Sequence, residues 1–157
     1  MKDRSQKSGV RSQNQSRDAG TPTPAAGRER AVNSPDSLAG LLRGVGAELA
    51  LNLSSQQVDQ LTTHFSLLLR WNEKINLTSI RSPKEIAERH FEESLFLATR
   101  IPPPEGLFVD VGSGAGSPGL PLKIVWPNSE AVLLEPNNKK ATFLKEAIRS
   151  CGLERIE

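Results

Sequence analysis

The stretch Val109–Gly119, VDVGSGAGSPG, restricts this chain more than any other part of it. Four glycines, Gly112, Gly114, Gly116 and Gly119, follow the apolar run Leu107–Phe108–Val109 and precede Leu120, Leu122, Ile124 and Val125. Glycine admits positive φ and lets another group come close to the main chain. The residues from Gly114 to Gly119 fit G-x-G-x-x-G, a pattern that is weak alone and gains force between a strand and a helix. In that setting, backbone N–H groups and a helix N-terminus point at whatever binds. A second apolar run, Ala131–Leu134, ends at Glu135. A Rossmann-type site places a carboxylate there to accept the ribose hydroxyls. The alternative is a tight structural turn beside an exposed Glu, although turning alone seldom needs four glycines.

The charge next to the loop selects among ligands. Asp110 stands two residues before Gly112. An anion there opposes a pyrophosphate and suits an ammonium, a hydroxyl or a bound water. S-adenosylmethionine has an ammonium, a carboxylate and a sulfonium but no phosphate. Charge matching therefore favours it over a nicotinamide dinucleotide. The expected cofactor contacts are Asp110, Gly112, Gly114, Gly116 and Glu135.

Around this loop the chain divides by texture. Residues 1–36 are rich in Ser, Gln, Arg, Gly and Pro and hold seven Lys and Arg against four acids, so the basic excess of a chain with net charge +2 sits here. Such a segment buries too little to offset its ordering entropy and reads as a disordered basic tail. It is either an RNA-attracting arm or a solvated end. Residues 37–101 read as a helical cap. Leu38, Leu41, Leu42 and Val45 have helical spacing. Ser54 with Gln57 forms a capping-box pattern before the stripe Val58, Leu61, Phe65, Leu68, Leu69, and His64 reads as helix surface. Ser82-Pro83-Lys84-Glu85 opens another helix, with a second box, that should run to about Thr99. Residues 105–157 read as strand, loop, helix, strand and helix, with a third strand starting near Leu153. The fold class is α/β: a Rossmann-like methyltransferase sheet of parallel strands, incomplete here, with a helical N-terminal cap. Two strands and the start of a third fall short of the ~5 usual for a sheet, so the sequence reads as an incomplete version of a longer domain.

Three segments in order carry a resemblance: Arg70-Trp71-Asn72-Glu73-Lys74-Ile75-Asn76-Leu77-Thr78, His90-Phe91-Glu92-Glu93-Ser94-Leu95 and Asp110-Val111-Gly112-Ser113-Gly114-Ala115-Gly116-Ser117-Pro118-Gly119-Leu120-Pro121. Together they resemble the bacterial small-subunit ribosomal RNA (guanine-N7) methyltransferases, also called glucose-inhibited division protein B. The resemblance covers about two thirds of the chain, from Leu51 onwards. It implies a cytoplasmic enzyme that moves a methyl group from S-adenosylmethionine to guanine N7 of 16S ribosomal RNA in the small ribosomal subunit. It also implies that Gly112 and Ser117 contact the cofactor, that Glu135 is the acid of the second strand, and that Asn76 and His90 are polar positions of the cap. Ser117 stands where the family usually has Phe or Leu, Glu93 where Asp is usual, and Pro136 where Ser is usual.

Guanine N7 has a free lone pair, so attack needs no base and no covalent cysteine; positioning and electrostatics suffice. Asn76 and His90 are the candidate catalytic residues, Asn76 to orient the base edge, with Lys74 or Arg81 meeting phosphate. Each also has a plainer reading: a loop-capping Asn, a packing His and solvated charges. Trp71 reads as core at a helix end, and Cys151 as an inert thiol. Two histidines and one cysteine support no metal site. No apolar run approaches the ~18 residues that span a membrane, and the N-terminus lacks the apolar core of a secretory signal. A cytoplasmic monomer is the expectation. Two alternatives stay open: an inactive truncated RNA-binding fragment, and a nicotinamide-dependent Rossmann oxidoreductase.

Overall fold

The structure is a computed structural model that describes residues 33–157. The tail expected over residues 1–36 lies, apart from its last four residues, outside them. Helix α1 (Pro35–Glu48) begins two residues before the expected start at Ser37. Ser34 is the reason: its hydroxyl accepts from the Ser37 amide, and Pro35 occupies the first turn with its φ already set.

Helix α2 (Ser55–Asn72) starts with the capping box in both directions. The Gln57 amide donates to Ser54 Oγ at 3.2 Å, and the Ser54 amide donates to Gln57 Oε1 at 2.9 Å. Ser54→Ala is expected to destabilise the chain by about 1 kcal/mol, read as a lower urea midpoint at unchanged slope. The next helical stretch is not uniform. A short α3 (Pro83–Ile86) passes into a π-helical segment (Ala87–Glu92) and then α4 (Glu93–Arg100). The second capping box does not form, since Ser82 makes no side-chain cap bond. Pro83 sets the start of the helix instead.

The α/β part follows as β1 (Leu107–Val111), α5 (Gly119–Val125), β2 (Glu130–Leu134) and α6 (Asn138–Ser150). The two strands pair in parallel from Leu107 opposite Glu130 to Val111 opposite Leu134. Beyond α6 the chain turns at Gly152 (φ +60) and runs along the free edge of β2. The Ala131 and Leu133 amides donate to the Arg155 and Glu157 carbonyls, and the Glu157 amide donates back to Ala131. That is the expected third strand at its first residues.

One apolar core joins the cap to the α/β part. Leu38, Leu42, Leu61, Phe65, Ile86, Phe91, Leu120, Ile124, Phe143 and Leu144 are all buried in one cluster. Trp71 ties α2 to α6, packing edge-on to Phe143 at 5.9 Å with its Nε1 donating to Glu146. Lys123 is also buried: its Nζ donates to the Pro127 and Ser129 carbonyls at 2.8 and 2.6 Å, closing the α5–β2 turn.

β1 differs from the fully buried strand its sequence suggests. Phe108 points toward α5 and meets Trp126 edge-on, whereas Leu107, Val109 and Val111 lie exposed on the opposite face, beside Leu134 of β2. Among the described residues the helices cover one face of the sheet, so the other face keeps its apolar side chains in water.

Candidate functional site

The loop after β1 remains tied to the end of β2. The Gly112 and Ser113 amides both donate to the Leu134 carbonyl, at 2.7 and 3.2 Å. Ser113 Oγ donates back to Asp110 O, and the Gly116 amide to Ser113 O at 2.6 Å. Gly112, Gly114 and Gly116 take φ of +82, +51 and +85, where a side chain is strained.

The four glycines divide into two pairs. A methyl group on Gly112 would meet nothing within 4 Å, and one on Gly114 only the Gly112 carbonyl at 3.6 Å. These two expose bare main chain. A methyl on Gly116 would overlap Leu120 and sit 3.2 Å from His64 Nε2; one on Gly119 would lie 2.5 Å from Leu133 and 2.6 Å from Asp110 Oδ2. Gly116, expected at the cofactor, therefore faces the protein interior: helix α5 and the cap close on it. The loop needs two glycines for its open side and two for its packed side.

Glu135 stands at the open side. Its Oε2 accepts from the Gly114 amide at 2.9 Å and its Oε1 from the Asn137 amide at 2.8 Å. These bonds, that of Asn137 foremost, hold its carboxyl below the ordinary carboxylate range against the opposing effect of burial. Two of the carboxylate's roughly four lone-pair sites remain available. Asp110 does not join it. Asp110 Oδ2 accepts from the Gly119 amide at 3.1 Å, so its carboxylate is aimed at the packed side and fastens the start of α5. The expectation that Asp110 meets a cofactor ammonium is thereby revised, because alternation along β1 sends it to the α5 face with Phe108. Ser117, half-buried, has a buried Oγ with no hydrogen-bond partner.

Asn76 and His90 belong to a different arrangement. Asn76 Oδ1 accepts from Arg81 Nη2 at 2.9 Å, and Arg81 Nη1 donates to the Asn72 carbonyl. Asn72 is buried and spans the same loop, donating to Ile80 O and accepting from the Thr78 amide. His90 Nε2 lies 3.1 Å from Thr78 Oγ1, and its pKa is lowered by burial, with Glu93 opposing. These residues brace the loop between Asn72 and Arg81, and among the described residues neither candidate is hydrogen-bonded to the glycine loop. Asn76 does share a hollow of about 320 Å³ with Lys74, Ile75, Asn137, Lys139 and Lys140. Asn137, whose amide holds Glu135, thus links this basic hollow to the open side of the loop. Arg81 donates to Asn72 and Asn76, and Lys74 is the lysine that the cap brings to the hollow among the described residues.

Two residues that matter here are not evident from the motifs. His64, expected on the helix surface, is fully buried and lies 2.8 Å from the Ala115 carbonyl. Its spacing carries a signal: it falls between Leu61 and Leu68 on the apolar stripe of α2. Asn72 lies within the first of the resembling segments and at a helix end, but neither marks it as the residue that spans the loop. Cys151 is buried, its thiol pushed up to about 12 by desolvation, so it is no thiolate at neutral pH.

The open, glycine-bare loop faced by the acid that ends the next strand coincides with a sequence match. Residues 57–157 match the family described as GidB, rRNA small subunit methyltransferase G. The chain belongs to this family. Among its relatives, proteins named ribosomal RNA small subunit methyltransferase G are 43% identical over 110 residues in Alkaliphilus metalliredigens and 42% over 119 residues in Moorella thermoacetica. The alignments cover 69% and 74% of this chain, and 46% and 49% of those relatives. The chain thus spans about half the length of the curated relatives it matches. The methyltransferase G match takes in α2 from Gln57 onwards and everything after it, hence the whole glycine loop, Glu135 and the braced loop of the cap. Among the described residues no helix is long and apolar enough to cross a membrane, and no three His, Cys, Asp or Glu side chains come together to hold a metal.

Proposed function

We propose that the chain forms the S-adenosylmethionine site of a methyltransferase acting on guanine N7 of 16S ribosomal RNA. One observation carries this reading: the open main chain of Gly112 and Gly114 lies against the Glu135 carboxylate, 2.9 Å from the Gly114 amide. The residues fit a nucleoside bearing a vicinal diol. Glu135 has lone pairs left for two hydroxyls, and Gly112 and Gly114 admit close approach. When bound, S-adenosylmethionine supplies an electrophilic methyl group. The rest falls to positioning, since N7 has no proton to lose. The chain accords with that need: Cys151 is protonated and buried, and His90 is occupied with Thr78. Lys74, Lys139 and Lys140 place positive charge beside Asn76, where the phosphates of a small-subunit RNA segment would lie.

The test is a calorimetric titration of the full chain with S-adenosylhomocysteine and, separately, with NADH. Binding of the first and not the second is expected. Glu135→Ala should weaken S-adenosylhomocysteine by about 10–100-fold through two lost charge-assisted bonds, with only a small change in the urea midpoint. NADH binding without S-adenosylhomocysteine binding would remove the methyltransferase reading.

A further inference from the structure

Among the described residues the cap reaches the glycine loop through one buried hydrogen bond. His64, on α2, directs Nε2 at the Ala115 carbonyl 2.8 Å away, inside an otherwise apolar setting. A carbonyl can only accept, so Nε2 carries the hydrogen and Nδ1 is the bare nitrogen. That Nδ1 is buried and has no partner. The ring is held by Phe91 of the π-helical segment at 5.2 Å and Phe143 of α6 at 6.1 Å. Immediately beyond Ala115 is Gly116, whose missing side chain leaves the room that His64 and Leu120 take up. Burial holds the imidazole pKa down to about 4, so the ring is uncharged at neutral pH.

A satisfied packing residue would bury both nitrogens with partners or none. Here Nε2 donates to the loop carbonyl and Nδ1 has no partner among the described side chains and main chain, so the bond to Ala115 is the contact that ties the ring to the loop. We propose that His64 is a positioning residue: from the cap it holds the Ala115–Gly116 peptide in place, so that packing of the cap sets the shape of the open side at Gly112 and Gly114. As an effect on cofactor affinity, this rests on the S-adenosylmethionine reading above. As an effect on loop order, it does not.

The test compares the full chain with His64→Gln, His64→Asn and His64→Phe. A glutamine can bring an amide N–H to the place of Nε2; an asparagine is too short, and a phenylalanine fills the volume with no donor. The readouts are hydrogen exchange at the Gly116 and Leu120 amides, with α1 amides as the internal reference, and the Kd for S-adenosylhomocysteine by calorimetry. His64→Phe and His64→Asn are expected to speed exchange at Gly116 and Leu120 by about 10-fold relative to α1, and to weaken S-adenosylhomocysteine by a similar factor, the scale of one buried carbonyl left unpaired. His64→Gln should stay within about 3-fold of the parent on both, as a partly restored bond. Loss of order with Gln equal to that with Asn would overturn the proposal, because volume and not the donor would then matter. So would unchanged exchange in His64→Asn. Should His64→Phe fail to fold, the Gln–Asn pair decides alone. If the parent chain binds no S-adenosylhomocysteine, the exchange readout still tests the hold on the loop, and the failure falls on the cofactor reading.

Discussion

Gly116→Ala is expected to destabilise the chain by about 2–5 kcal/mol, and Gly112→Ala, earlier in the same loop, by only about 1–2 kcal/mol. The two residues share nearly the same φ, +85 and +82, so both substitutions meet the positive-φ strain of an L-residue. They differ in what the new methyl finds. At Gly112 there is open space; at Gly116 there is Leu120, buried in the core, and the His64 ring behind it. Neither neighbour can step aside. Leu120 begins the packed face of α5, and His64 is fixed between two phenylalanines. Overpacking is therefore added to strain at one position and not at the other. Urea denaturation of both variants at equal slope reads the difference directly. Cofactor binding should order them the other way: Gly112→Ala keeps most of its stability but places a methyl on the open main chain and should lose affinity for S-adenosylhomocysteine. Equal midpoints for the two variants would remove the division of the loop into open and packed glycines.

That division marks how far the sequence carries. The positions of most elements follow from local signals: the Ser54–Gln57 box, Pro83 at a helix start, Gly152 after α6, and apolar runs at both strands, while apolar spacing puts the start of α1 at Ser37 and not at Pro35. So does the meeting of the glycine loop with Glu135, because parallel pairing of β1 with β2 puts the ends of both strands side by side. What the spacing does not carry is direction. Asp110 and Gly116 look like site residues, since they lie within the motif. Alternation along β1 sends the first toward α5, and the tertiary approach of the cap fills the space at the second. The same holds for His64. Charge and polarity mark it as surface, while its position on the α2 stripe makes it core, and only the presence of a carbonyl at the right distance lets an imidazole sit there. Asn76 and His90 show the reverse case: polar residues near one another in sequence hold their own loop in shape through Arg81, Thr78 and Asn72. Which face of β1 meets the helices is a tertiary matter too: Phe108 turns to α5 while Leu107, Val109 and Val111 lie on the opposite face, and the apolar run alone does not distinguish them.

The buried imidazole gives the chain a pH dependence whose sign is fixed. In the unfolded chain His64 takes up a proton near its ordinary value of 6.5; in the fold its pKa is lowered to about 4, first by burial, with the Ala115 carbonyl opposing and His90 adding to the lowering. The fold thus prefers the neutral ring. Below 6.5 the unfolded chain binds more protons than the folded one, so stability falls as the pH drops from 6.5 towards 4 and is fully present above that window. By about pH 5 the loss from this one group should reach about 2 kcal/mol relative to pH 7.5. Carboxylates titrating at the lower end, and His90 whose pKa is also lowered, would bend the same curve. The measurement is therefore the difference from His64→Gln, which has no titrating ring and retains every other group. Urea midpoints at about pH 7.5 and pH 5 should fall more steeply for the parent than for the variant, by that same 2 kcal/mol. Cys151, packed on α2 one turn before His64, stays a thiol throughout and adds nothing to the slope. Parallel curves for the two proteins would mean that the ring charges without leaving its bond to Ala115, and that the cap does not depend on a neutral histidine.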